Sequence, residues 1–85
     1  MKTVDDSLIL AALEAIDSLL GRGVLPVDSG HLKHLFSENE TIEHLLFLKS
    51  EGLISGDLVT KGASNRPYRM TNIRLTYQGI RLLRS

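Results

Sequence analysis

A chain of 85 residues without cysteine has room for one domain with a modest core and no means of building a disulfide framework or a thiolate metal site. Its opening Met1-Lys2-Thr3-Val4-Asp5-Asp6 puts acid where a signal peptide carries positive charge. No apolar run approaches the roughly 18 residues of a membrane span, and secreted domains this small generally need staples, so a soluble, cytoplasmic protein without a membrane partner is expected. The formal net charge of zero conceals a split: all ten carboxylates lie in residues 1–57, which sum to −6, while residues 58–85 sum to +6 and hold no acid.

The first predicted element is a helix from Asp5 to Leu20. Leu8, Ala12, Ala15 and Leu19, with the parallel row Ile9, Leu13, Ile16 and Leu20, recur at helical spacing and make a broad apolar stripe. Thr3 or Asp5 can cap its start, and Gly21-Arg22-Gly23 ends it, glycine leaving a helix easily through a left-handed conformation. Val24-Leu25-Pro26-Val27 reads as a short extended piece that proline confines to a sheet edge.

Asp28 or Ser29 can then cap a short second helix with Leu32, Leu35 and Phe36 on one side. Ser37 and Glu40 have the spacing of a capping box, and a third helix is predicted from about Glu40 to Glu51, stopped by Gly52. Beyond Gly52 the period changes. Leu53-Ile54 leads to a strand at Leu58-Val59-Thr60, residues 61–67 have turn composition, and Tyr68 to Leu75 alternates as the partner strand of a hairpin. Thr76 caps a last short helix carrying Ile80, Leu82 and Leu83. Gly79 is unexpected there, because glycine costs about 1 kcal/mol in a helix interior relative to alanine; close packing against the third helix would explain it. The fold class expected is α+β over residues 1–85, with a three-helix core, a short edge strand, a two-stranded hairpin and a short C-terminal helix.

Two stretches of this order carry a resemblance. His44-Leu45-Leu46-Phe47-Leu48-Lys49-Ser50-Glu51-Gly52-Leu53-Ile54 is similar to the end of the recognition helix in bacterial MarR- and PadR-like regulators. Arg74-Leu75-Thr76-Tyr77-Gln78-Gly79-Ile80-Arg81-Leu82-Leu83 resembles their strand-to-helix signature. Among small proteins the chain looks nearest to the YjcQ-type bacterial and prophage family, over roughly residues 5–84. The resemblance implies a winged helix-turn-helix and double-stranded DNA as a partner, in the manner of a transcription regulator. It also implies a register in which Thr41, Leu45 and Leu48 face inward, with Leu53, Leu75, Leu13, Ile16 and Leu35 in the same core.

In such proteins the third helix enters the major groove and the wing touches phosphate or the minor groove. Lys61, Arg66 and Arg69, with Tyr68 between the arginines, make a basic wing suited to phosphate; an ordinary solvated hairpin is the plain alternative. The third helix argues against base reading. Its outward positions in this register are Ile42, Glu43, Leu46, Lys49 and Ser50, where a base reader carries Arg, Lys, Asn or Gln. Ile42 and Leu46, one turn apart and beside Glu40 and Glu43, suit a protein contact instead, with another protein or a second copy; a register slipped by one position would bury Ile42 and Leu46 and still leave acid exposed. The charge split likewise suits either an anionic partner or neutralisation within one fold.

No enzyme is expected. A nucleophile would have to be serine, threonine or lysine beside a base, and the histidines are only His31, His34 and His44. His31 and His34, near Asp28, have no third metal ligand at a recognisable spacing, and His44 is expected in the core or at its rim. Gly21-Arg22-Gly23 follows a helix, whereas a nucleotide loop follows a strand and opens a helix. Neither metal nor cofactor is expected.

Overall fold

The computed structural model describes residues 6–36, 40–60, 62 and 67–85. In chain order it has helix α1 (Asp6–Gly21), a 3-10 helix (Ser29–Leu35), helix α2 (Thr41–Ser50), strands β1 (Ile54–Thr60) and β2 (Pro67–Leu75), and helix α3 (Tyr77–Arg84). This is an α+β arrangement whose two strands pair antiparallel as a hairpin.

The apolar stripe of α1 forms as its spacing predicts, burying Ala12, Leu13 and Ile16. Around them close Val27, Leu32, Phe36, Leu45, Leu48, Ile54, Met70 and Ile73. Thr41 is buried with this core, whereas Leu35, Leu53 and Leu75 are half-buried at its edge. Both α1 and α2 end in the same way. Gly23 (φ 83°) and Gly52 (φ 75°) take the left-handed conformation, and the amide after each reaches back to the last full turn: Val24 N–H to Leu19 C=O and Leu53 N–H to Leu48 C=O, both 3.0 Å. These paired bonds close a Schellman motif and satisfy carbonyls the helix ends leave open. Gly23, the last glycine of the Gly-Arg-Gly run, is the one that leaves α1.

Two expectations need correction, and the one between them is made specific. Residues 24–27 form no strand, although a cis peptide joins Leu25 to Pro26; the segment meets β2 through the Ile73 N–H, which donates to the Val27 carbonyl at 3.0 Å. Proline lacks the amide a continued ladder would need. The short second helix forms as a 3-10 helix, and of its two candidate caps Asp28 is the one used, its carboxylate accepting from Gly30 N–H at 2.8 Å. The first strand begins at Ile54, four residues earlier than Leu58.

The alternation expected along β2 also fails, for an identifiable reason. Met70 and Ile73, three apart, are both buried. Between the pairs Ser55–Arg74 and Asp57–Thr71 the register shifts, so Asn72 and Ile73 together oppose Gly56. Asn72 adopts φ 54°, and its side-chain amide donates to the Asp57 carboxylate at 2.9 Å. An extra residue in one strand inverts the facing of everything beyond it. That inversion lets Met70 and Ile73 share the core.

Thr76 caps α3 as predicted, accepting from Gly79 N–H at 3.1 Å, and its hydroxyl also donates to the Gly52 carbonyl. One side chain thus ties the end of α2 to the start of α3. Gly79 is explained by contact with the Leu53 carbonyl just past α2, rather than with that helix itself: a Cβ at Gly79 would lie 2.0 Å from the Leu53 oxygen.

Candidate nucleic-acid interface

The hairpin is held at its β2 edge by three consecutive residues. Val27 accepts from Ile73 N–H, the Ser29 hydroxyl accepts from the buried Met70 N–H at 3.2 Å, and Asp28 pairs with Arg69 at 2.8 Å. The bonds to Val27 and Ser29 give two β2 amides partners that β1, on the other side, does not supply. They also fix where the side chains at the start of β2 stand. Asp28 and Ser29 are therefore positioning residues, a role beyond that of the alternative helix caps their sequence context suggests. The single signal for their second role was the polar pair directly following an extended segment.

Of the proposed wing residues, Lys61 and Arg66 lie outside the described residues. Tyr68 is 55 % exposed, third among the large apolar side chains described as exposed. Arg69 is braced rather than free: a terminal guanidinium nitrogen donates to Asp28 Oδ2, while the side chain stays 46 % exposed. A guanidinium carries five N–H donors, so donors remain for an anion beside the one engaged by Asp28. An approaching phosphate would nevertheless compete with that carboxylate.

The structure brings Ile42, Glu43 and Leu46 onto α2 but not onto one exposed face. Glu43 is exposed, whereas Ile42 and Leu46 are half-buried and packed against the core. The expectation of an exposed apolar pair is corrected accordingly. A ten-residue helix pressed between the 3-10 helix and the hairpin uses more than one inward row. What α2 offers to solvent in its second half is Lys49, Ser50 and the following Glu51.

His44 sits in the core rim. Its ring stacks on Phe36 with centroids 4.4 Å apart, and Nδ1 lies 2.8 Å from the Glu40 carbonyl, so that nitrogen donates. His31 Nδ1 accepts from Asp28 N–H at 3.1 Å, completing a reciprocal cap with Asp28 and engaging the lone pair a metal would take. No cluster of three or more His, Asp or Glu residues with metal-site geometry occurs among the described residues.

Among the described residues one ion pair bridges the two parts of the charge split. Asp28–Arg69 links the acidic and basic parts, yet Arg74, Arg81 and Arg84 stand exposed without an ion pair to any described carboxylate. Arg81 instead lies over the Tyr77 ring, 5.7 Å from its centroid, a favourable cation–π placement. No helix among the described residues is long and apolar enough to cross a membrane. No family model, curated protein or solved structure matches the chain.

Proposed function

We propose that the chain is a small winged-helix protein that binds double-stranded DNA in the manner of a transcription regulator, chiefly through sequence-independent contacts of its hairpin with phosphate. The observation that supports this reading is the positive charge of the last third of the chain, which at Arg74, Arg81 and Arg84 meets no carboxylate among the described residues. Residues 58–85 hold six cations and no acid, and of the four described arginines only Arg69 pairs with a carboxylate. Exposed guanidinium groups at Arg69 and Arg74 on the braced hairpin, with Arg81 and Arg84 on α3, suit a ligand that presents negative charge along its whole length. The order of elements supports the winged-helix assignment: α1, the 3-10 helix and α2 precede the hairpin, and the Val27 carbonyl touches β2 where a short edge strand of that fold would lie.

Glu43 on α2 opposes deep insertion of that helix into a groove, so little discrimination between base sequences is expected. Titration of a labelled random duplex, followed by fluorescence anisotropy at low and at physiological salt, tests the reading. Saturable binding that weakens steeply with salt supports it. Absence of binding at low salt defeats it. The exposed acid of Glu43 favours a second reading, in which α2 contacts a protein and the chain does not bind DNA; Glu43→Gln then weakens that protein contact without creating affinity for duplex.

A further inference from the structure

His31, Asp28 and Arg69 are joined in series. The His31 Nδ1 accepts from the Asp28 N–H at 3.1 Å. The Asp28 carboxylate accepts from Gly30 N–H through Oδ1 and from the Arg69 guanidinium through Oδ2, both at 2.8 Å. The imidazole therefore completes the cap that fixes Asp28, while its Nδ1 lies 3.8 Å from the Asp28 Oδ1. Of the three side chains Asp28 is the shielded one, 22 % exposed against 42 % for His31 and 46 % for Arg69. Solvent reaches the imidazole and the guanidinium on either side of it.

Accepting the Asp28 N–H requires a lone pair on Nδ1, so the ring in this arrangement is neutral and carries its proton on Nε2. Imidazole is the side chain that changes charge within the physiological pH range. Once both ring nitrogens carry hydrogen, Nδ1 no longer accepts, and two N–H groups face each other across the cap. The same Nδ1–H is drawn to Asp28 Oδ1, so a second cation shares the carboxylate with Arg69. Both changes loosen the hold of Asp28 on the guanidinium, and both add positive charge beside it.

The elements packed against the 3-10 helix are β2, α2 and α1. From β2 the facing charge is Arg69. From α2 it is His44, whose Nδ1 is engaged by the Glu40 carbonyl and whose ring lies on Phe36. Glu43 and Lys49 of α2, and Asp6, Glu14 and Asp17 of α1, are exposed and form no ion pair with His31 or Asp28. Lys33 and His34 of the 3-10 helix itself are likewise exposed and form no ion pair with Asp28.

We infer that His31 is a proton-dependent positioning residue: neutral, it fixes Asp28 as the counterion of Arg69, and protonated, it releases the guanidinium to an anion. This regulation rests on the DNA-binding reading only for the identity of the anion, which is then backbone phosphate. Duplex affinity rises as pH falls through the titration of His31.

Two measurements on the whole chain test the inference, the first without DNA. Nitrogen NMR of the rings at about pH 8 should show His31 as the Nε2–H tautomer, and on titration to about pH 5.5 the Arg69 side-chain N–H resonances should move with the His31 midpoint. In His31→Gln the amide oxygen can accept the same N–H without titrating, and that movement of Arg69 should disappear. Arg69 resonances that ignore the His31 titration, or that respond equally in His31→Gln, overturn the inference whether or not the protein binds DNA. The second measurement is fluorescence anisotropy of a labelled random duplex at the same two pH values and constant ionic strength. Lowering the pH should strengthen binding by the parent about two- to fivefold more than binding by His31→Gln. His34→Gln, which removes a neighbouring imidazole outside the series, should keep the gain of the parent. Equal gains in the parent and His31→Gln would also overturn the inference. An intact Arg69 response in a protein that binds no duplex at either pH supports the switch and defeats the DNA-binding reading alone.

Discussion

Replacing Gly79 by alanine should destabilise the protein, although the same change in an open helix stabilises it. In an unhindered helix interior alanine is favoured over glycine by about 1 kcal/mol. At Gly79 the new methyl carbon would sit 2.0 Å from the Leu53 carbonyl oxygen, whereas real Cβ contacts essentially never fall below 3.0 Å. The obstacle is backbone, so no side-chain rotation relieves it. Either the first turn of α3 or the Leu53 peptide must move by about 1 Å, and that carbonyl is the acceptor of the Thr76 N–H at 3.1 Å. Forced overpacking costs about 1–3 kcal/mol, and disturbing the Thr76 bonds adds about 1 kcal/mol. Even after the propensity gain, a net loss of about 2 kcal/mol follows. In a domain of this size each kcal/mol moves the midpoint by about 4–8 °C, so thermal unfolding followed by circular dichroism should show a fall of about 10 °C. A melting temperature equal to or above that of the parent would refute the packing argument, because only an open site gives that sign.

Other expectations follow from the same geometry. Leu48→Ala, at a side chain 1 % exposed, should cost about 2–5 kcal/mol in urea unfolding; an unchanged midpoint would sink the register of α2. Thr76→Ala removes both the cap to Gly79 and the link to Gly52 and should cost about 1–2 kcal/mol, with Thr76→Ser restoring most of it. Asp28→Asn keeps a good capping residue but releases Arg69 from its carboxylate. Duplex affinity should therefore rise at low salt, and no change would remove Arg69 from the proposed contact.

The elements that were legible in the sequence are those specified by local chemistry. The stripe of α1, the glycines that end α1 and α2, and the Thr76 cap each depend on residues within one or two turns, and each forms as expected. The parts that were not legible depend on contacts across the fold. Nothing local to Val27 or Ser29 says that they will supply acceptors to Ile73 and Met70, more than forty residues away. The bulge at Asn72 left a faint trace, since asparagine is enriched at positive φ and Met70 and Ile73 are spaced by three. Perfect alternation nevertheless fits the same residues equally well, because only the strand register distinguishes the two. Ile42 and Leu46 are half-buried because the 3-10 helix and the hairpin flank α2 together, and helical spacing alone does not decide between the register that exposes this pair and the slipped one that buries it. At the candidate site the charge split was plain in composition, whereas the bracing of Arg69 by Asp28 required the fold.

The central claim is that the hairpin binds duplex DNA through phosphate. Its most direct test is the dependence of the association constant on salt for the parent and for the Lys61→Ala, Arg66→Ala, Arg69→Ala triple variant, on two unrelated duplex sequences. Each phosphate contact contributes about 0.9 to the slope of log K against log salt. The variant should therefore bind more weakly on both sequences and show a slope shallower by about 2–3. Equal slopes and equal affinities in the parent and the variant would contradict the account.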